Sequence, residues 1–209
     1  MKCYDIAPPR VRQYLQAEVN YVIGHLHATD IVVELGCGYG RVLKDLLPHA
    51  YLGIGIDISL DSLRLAIEYI GRNERYQLVQ SDASRLALHD KSVDIVVCIQ
   101  NGISAFKVDP LRLIKESVRI TREGGSCIFS SYSDEFWEQR LEWFRLQANE
   151  GLIGEIDWSL TTNGVIACKD GFRATTFRSE DFTNLCNRIG INAFVSEVDK
   201  SSIFCRIDI

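Results

Sequence analysis

The feature that most constrains this chain is the run Ile31-Val32-Val33-Glu34-Leu35-Gly36-Cys37-Gly38-Tyr39-Gly40-Arg41. Its first residues are β-branched and apolar, as a strand buried on both faces requires, and glycines follow at alternate positions 36, 38 and 40. Glycine lacks a side chain, so a ligand can approach the backbone there. Residues 41–47 can be helical and stop at Pro48. Strand, glycine loop and helix in that order make the layout of a nucleoside-cofactor site. A tight turn between any strand and helix can use the same residues, so the flanking sequence decides.

The alternation continues. Residues 51–57 read as a second buried strand, and Ser59 caps a helix with Leu60, Leu63, Ile67 and Ile70 on one face and Gly71 at its end. A third strand over 76–80 delivers Asp82 just past its carboxyl end. Residues 93–99 are the most β-biased run, closed by Gln100-Asn101-Gly102. Asp109-Pro110 starts a helix striped by Leu111, Ile114 and Val118, which runs to Gly124-Gly125, and a fifth strand spans 126–131. Such alternation indicates a parallel sheet covered on both faces by right-handed crossovers, a doubly wound α/β domain.

On either side the pattern differs. Residues 1–9 read as irregular, and 10–27 as an amphipathic helix buried through Val11, Tyr14, Leu15, Val19, Val22, Ile23 and Leu26. A helix from Ser133 carries Phe136, Trp137, Arg140, Leu141 and Phe144. Short β-like runs at 158–162, 165–169 and 172–177, separated by Asn163-Gly164 and Asp170-Gly171, predict a three-stranded antiparallel meander. Ser179 then caps a helix with Phe182, Leu185, Cys186 and Ile189 inward, and strands over 193–198 and 202–207 are close enough to pair antiparallel. The expected organisation is one domain over 1–209: an amino-terminal helical cap over 1–29, a cofactor-binding core over 30–131 and an inserted meander over 152–177.

With 46% hydrophobic and 24% charged residues the composition is globular, and no apolar run approaches the roughly 20 residues of a membrane helix. The opening Met1-Lys2-Cys3-Tyr4-Asp5 lacks the apolar core of a signal peptide, so a cytoplasmic location is expected. Seven cysteines form no Cys-x-x-Cys pair and read as reduced core residues. A net charge of −5 disfavours a broad nucleic-acid surface. No His, Cys, Asp or Glu set has metal-ligand spacing, and His89 sits in a polar loop.

Three acids fall at strand ends, Glu34, Asp57 and Asp82. A carboxylate after the second strand suits a ribose, which both NAD and S-adenosylmethionine possess. A pocket rich in carboxylates prefers the sulfonium and ammonium of S-adenosylmethionine to the pyrophosphate of NAD. The spacing Gly-x-Gly-x-Gly also departs from the dinucleotide fingerprint Gly-x-Gly-x-x-Gly. Through residues 33–40, 55–59, 81–83 and 92–96, and the strand after Glu123-Gly124-Gly125, the chain resembles class I S-adenosylmethionine-dependent methyltransferases.

The resemblance implies a Rossmann-like, doubly wound seven-stranded sheet, mostly parallel with an antiparallel final strand. It also implies S-adenosyl-L-methionine as cofactor. The loop Gly36, Cys37, Gly38 and Gly40 would lie against the methionine portion with Glu34 beneath it. Asp57 would hold the ribose hydroxyls, Ile58 would pack on the adenine, and Asp82, with Ala83 nearby, would accept from its amino group. Gln100 and Asn101 would face the sulfonium. The family's Asp/Asn-Pro-Pro-Tyr/Phe run for amino groups of nucleic acid or protein is replaced here by Gln100-Asn101-Gly102-Ile103, which favours a small-molecule acceptor. Asn101 and Tyr132 are the catalytic candidates, with Tyr4, Tyr14 and Arg12 as further acceptor contacts and the meander as part of the acceptor pocket. A protein or RNA methyltransferase, an NAD-dependent oxidoreductase and a non-catalytic cofactor-binding domain remain as alternatives. The oligomeric state is left open.

Overall fold

A computed structural model describes residues 2–209. Strands β1 (Ile31–Leu35), β2 (Leu52–Asp57), β3 (Tyr76–Gln80), β4 (Val93–Cys98) and β5 (Thr121–Tyr132) form the parallel part of the main sheet. With β8 (Phe194–Val198) and β9 (Ser202–Asp208) it has seven strands in the order β3-β2-β1-β4-β5-β9-β8. β9 runs antiparallel to both β5 and β8, so the final strand of the chain is the reversed one, as expected. The order turns back between β1 and β4, which opens a crevice at the carboxyl ends of those strands.

Helices α3 (Arg41–Leu46), α4 (Leu60–Ile70), α6 (Pro110–Ile120) and α8 (Ser179–Arg188) make the crossovers. β2 carries glycine at 53 and 55 because α3 presses on it: a Cβ at Gly53 would lie 2.8 Å from Leu43 Cδ1, and one at Gly55 2.9 Å from Leu43 Cδ2. Close packing there seats the glycine loop. Side-chain caps fix the helix starts: Ser59 Oγ accepts from Ser62 N, and Asp109 Oδ1 from Leu111 N at 3.0 Å.

A second layer lies beyond β5. It comprises α1 (Lys2–Asp5), the first half of α2 (Pro9–Ile23), whose Val19 and Val22 pack instead on the main sheet, α7 (Trp137–Asn149) and a two-stranded sheet of β6 (Val165–Ala167) and β7 (Arg173–Thr175). Tyr14, Tyr132, Phe136, Trp143, Phe144 and Ile166 form its own apolar cluster. The short helix α5 (Gly102–Ala105) joins this layer to β4.

Several sequence expectations need correction. The meander has two strands, not three. Residues 158–161 form a turn because Asp157 Oδ1 accepts from Ser159 N at 2.9 Å and Ser159 Oγ at 2.5 Å, while Asp157 O accepts from Thr161 N at 3.0 Å. Residues 2–5 are helical rather than irregular. Arg178, not Ser179, stands at the α8 cap, where its N–H donates to Asp181 Oδ2 at 2.8 Å. β5 begins at Thr121, and its ladder with β4 jumps from Val93–Thr121 to Ile95–Ser126, which accommodates Gly124 in the left-handed region. α6 therefore ends at Ile120, and its buried positions are Leu113, Ile114, Ser117 and Ile120.

Candidate active site

The glycine loop leaves β1 by a backbone clasp. Gly36 N and Cys37 N both donate to Ile56 O, at 2.8 and 2.9 Å, so the loop hangs from the end of β2. Gly36 has φ +71°, and a Cβ built on it would lie 2.4 Å from the Phe106 ring, whereas one on Gly38 would meet nothing within 4 Å. The Gly38 backbone thus borders open space.

Asp57 braces this loop. Its Oδ2 accepts from Gly38 N and its Oδ1 from Ser59 N, each at 2.8 Å. A carboxylate oxygen has two lone pairs, so each keeps one for a ligand hydroxyl. Asp82 Oδ1 accepts from Ser84 N at 2.8 Å, and this backbone N–H holds its carboxyl below the usual range. Asp57, Asp82, Ala83, Ile58 and Gly36 line one lobe of the crevice. Ile58 leaves 72% of its surface exposed, an apolar side chain on a wall with no protein against it.

The second lobe shares Gly36 and Phe106 with the first, so the Phe106 ring divides them. Its lining includes Glu34, Cys37, Gly38, Arg41, Gln100 and Tyr4. Glu34 is 6% exposed and burial pushes its carboxyl up to about 8. Burial likewise pushes up the Cys37 thiol. Arg41 Nη2 donates to Gln100 Oε1 at 2.5 Å, and its guanidinium carbon lies 4.6 Å from the Tyr4 ring centre. Yet Glu34 Oε2, Arg41 Nε and Gln100 Nε2 are buried without a partner. One lobe therefore holds an unpaired acceptor beside unpaired donors, the complement of a zwitterion. The amino-acid end of S-adenosylmethionine, an ammonium and a carboxylate, fits that set; a pyrophosphate would face Glu34.

Gln100 and Asn101 both have positive φ, 57° and 63°, a strained pair for residues with side chains. The Gln100 N–H donates to Glu18 Oε2 at 2.6 Å and to Ser130 Oγ at 2.9 Å, and these bonds hold the turn. Glu18, fully buried on α2 with its carboxyl pushed up to about 7 by burial, escaped sequence reasoning because it occupies one position of an otherwise ordinary helix. Its one signal was an acid on the apolar stripe.

Other sequence candidates lie elsewhere. Asn101 lines neither lobe: its Nδ2 donates to Thr175 O at 2.9 Å and its Oδ1 accepts from Ser131 Oγ at 2.7 Å, which ties β7 to β5. The Asn101 side chain is thus engaged between β7 and β5, and Gln100 is the one of the two that lines the second lobe. Tyr132 and Tyr14 are buried with ring centres 5.2 Å apart. Burial pushes the Tyr132 hydroxyl up to about 12, which removes it as a base at neutral pH. Arg12 donates to Ala7 O and Asp5 O and so fastens the amino-terminal segment. His89 is exposed. Among the described residues no cluster can hold a metal ion, and no helix is long and apolar enough to cross a membrane.

Known proteins converge on the same reading. A family model described as a methyltransferase domain matches residues 33–129. A malonyl-[acyl-carrier protein] O-methyltransferase of a Marinomonas species is 34% identical over 131 residues, 60% of this chain and 47% of its own length. A ubiquinone biosynthesis O-methyltransferase of Coxiella burnetii is 25% identical over 139 residues, 65% of this chain and 55% of its own. The chain thus spans about half the length of these curated relatives. In solved structures, a SAM-dependent methyltransferase of Methanosarcina mazei superposes with TM-score 0.65 at 19% identity, covering 90% of this chain and 97% of that one. The N-methyltransferase NodS of Bradyrhizobium japonicum, in complex with S-adenosylhomocysteine, gives 0.62 at 14%, covering 95% and 87%. Motif order, sheet topology and the family match agree: residues 33–129 match the methyltransferase-domain family, and over this core the chain is similar to class I S-adenosylmethionine-dependent methyltransferases.

Proposed function

We propose that the chain transfers a methyl group from S-adenosylmethionine to a small-molecule acceptor by in-line displacement. The observation that carries this is the second lobe, where buried Glu34 Oε2 stands unpaired beside the unpaired donors of Arg41 and Gln100. Glu34 is placed for the ammonium of the methionine portion, and Arg41 Nε and Gln100 Nε2 for its carboxylate. Asp57, with a free lone pair on each oxygen, takes the ribose hydroxyls. Ile58 and Ala83 flank the adenine, and Asp82 accepts from its amino group.

The bound cofactor supplies a methyl group on a sulfonium, a good leaving group. What remains for the protein is to hold the acceptor in line and exclude water. The strained Gln100–Asn101 turn, fixed from below by Glu18 and Ser130, sets the floor between cofactor and acceptor. α2, α7 and the β6–β7 hairpin enclose the acceptor side. The small-molecule class is supported by the O-methyltransferase names of both curated relatives and by the acidic balance of the chain.

Calorimetry with S-adenosylmethionine, S-adenosylhomocysteine and NAD tests the cofactor, with binding expected for both sulfur nucleosides and none for NAD. Absence of binding by either sulfur nucleoside refutes the proposal. A metabolite screen with a labelled methyl donor then identifies the acceptor; label retained only on protein or RNA would refute the small-molecule class.

A further inference from the structure

We infer that Arg140 is the recognition site for a carboxylate on the acceptor, with the acceptor's apolar body held in the aromatic cluster around it. The inference rests on the methyl-transfer reading for what the ligand is, and on the geometry of the second layer for where it binds.

Arg140, on the fourth residue of α7, is only 1% exposed and leads the fully buried side chains by volume. Its guanidinium carbon lies 4.4 Å from the ring centre of Tyr132, 5.5 Å from that of Phe144 and 5.9 Å from that of Trp137. Nη2 donates to Ala174 O at 3.2 Å. Nε and Nη1 are buried and have no partner, and Arg140 makes no ion pair among the described residues. The nearby Tyr14 hydroxyl is also buried without a partner.

An arginine cannot shed its charge, and a lone buried cation is costly. The surrounding ring faces return part of that cost but leave two donor nitrogens unmet. Packing alone would be served better by leucine or methionine. A residue that costs stability in the free protein and offers unused donors is explained by a ligand that arrives with the missing charge.

Its location assigns that ligand to the acceptor. Tyr132 ends β5, whose Ser130 and Ser131 bond to Gln100 N and to Asn101 at the end of β4. Trp143, one helical turn from Arg140, has its ring centre 6.1 Å from that of Tyr4, which lines the methionine lobe. One guanidinium neutralises one negative charge, which selects a carboxylate over a phosphate dianion. The donor atoms are shut from solvent, so a ligand reaches them when the β6–β7 hairpin lifts. That roof is held through Ala174 O, through Asn101 to Thr175 O and through Ser104 Oγ, 2.5 Å from Thr175 Oγ1.

The test uses the full chain loaded with S-adenosylhomocysteine and a panel of acetate, benzoate and succinate, their neutral amides, and inorganic phosphate, read by calorimetry. At least one carboxylate is expected to bind wild type ten times or more tightly than its amide and than phosphate. That preference should disappear in Arg140→Met and survive in part in Arg140→Lys, while both variants keep the wild-type affinity for S-adenosylhomocysteine. The thermal midpoint of ligand-free Arg140→Met should not fall. A lower midpoint with carboxylate binding intact marks Arg140 as structural and overturns the inference, as does equal binding of carboxylate and amide, tighter binding of phosphate, or no binding of any carboxylate by wild type. Should Arg140→Met fail to fold, the amide comparison and Arg140→Lys decide. Loss of S-adenosylhomocysteine binding by wild type strikes the cofactor reading instead, and the carboxylate comparison then runs on the free protein.

Discussion

At the carboxyl ends of β1, β2 and β3 the chain lines its crevice with backbone, glycine and short acids, whereas beyond β4 and β5 it presents arginine and aromatic rings from helices and a hairpin. The first region leaves a carboxyl oxygen without a partner, Glu34 Oε2; the second leaves two donors of a cation without one, Arg140 Nε and Nη1. Neither group makes an ion pair with an opposite charge among the described residues. Their signs match the ligands proposed for each region, an ammonium in one and a carboxylate in the other. The regions also differ in how they are held. Asp57 is locked to the glycine loop through the Gly38 N–H and to its own turn through the Ser59 N–H, but the hairpin over Arg140 rests on a few polar contacts to Thr175 and Ala174. A rigid cofactor half and a roofed acceptor half follow from that contrast.

The largest expected effect tests the backbone-built half. Gly36→Val places a β-branched side chain at φ +71°, with its Cβ directed at the Phe106 ring between the two lobes. Affinity for S-adenosylhomocysteine, measured by calorimetry, should fall at least a hundredfold, about 2.7 kcal/mol. A change below fivefold would mean that the cofactor does not pass over Gly36, and the lobes would have to be assigned to different ligands.

Next in size is the charge on Glu34. Because its carboxyl is pushed up to about 8, nearly all of it is protonated at pH 6, and pairing with an ammonium requires loss of that proton. Affinity for S-adenosylhomocysteine should rise roughly 25-fold from pH 6 to 7.5, approaching one proton released per ligand bound. Glu34→Gln should bind about tenfold more weakly at pH 7.5 and show a flat profile. An unchanged slope in the variant would transfer the proton to another group.

The same burial predicts an effect on stability. Glu34 and Glu18 have folded values of about 8 and about 7, above the usual 4.5, so the folded state binds more protons between those limits. Stability is therefore lost as pH rises through that window, by at most about 1.4 kcal/mol per unit for each group. The thermal midpoint of the free protein should fall from pH 5.5 to 8.5, and saturation with S-adenosylmethionine should reduce the fall by pairing Glu34. A midpoint that rises with pH would show that neither carboxyl is held protonated.

How much of this was legible in the sequence follows the same division. Gly36, Gly38, Asp57 and Asp82 stand out because backbone geometry at strand ends demands particular residue types at short spacing. The role of Glu18 is not legible from such spacing, since its partner Gln100 is 82 positions away and its one signal is an acid on an apolar stripe. Arg140 looked like one more residue of an amphipathic helix, and only the packing of Tyr132 and Phe144 reveals that it points inward. The hairpin was readable at Asn163-Gly164 and Asp170-Gly171, but its expected first strand was not, because the Asp157 side chain winds residues 158–161 into a turn. Local chemistry announces itself in sequence; contacts between distant residues await the fold.

The smallest expected effect falls on the boundary between the halves. Phe106 borders both lobes and lies against Gly36, so a cofactor that spans them displaces its ring or slides past it. Shifting an aromatic side chain off its preferred rotamer costs about 0.5–1.5 kcal/mol, which corresponds to at most about tenfold in affinity. Phe106→Ala joins the lobes and removes that cost, so S-adenosylhomocysteine should bind up to tenfold more tightly, with the gain in a faster association rate by stopped-flow fluorescence. Weaker binding with faster release would give the opposite assignment: the ring would then be a wall that packs on the bound nucleoside, and the cofactor half would extend past β4 into the segment that now separates it from Arg140.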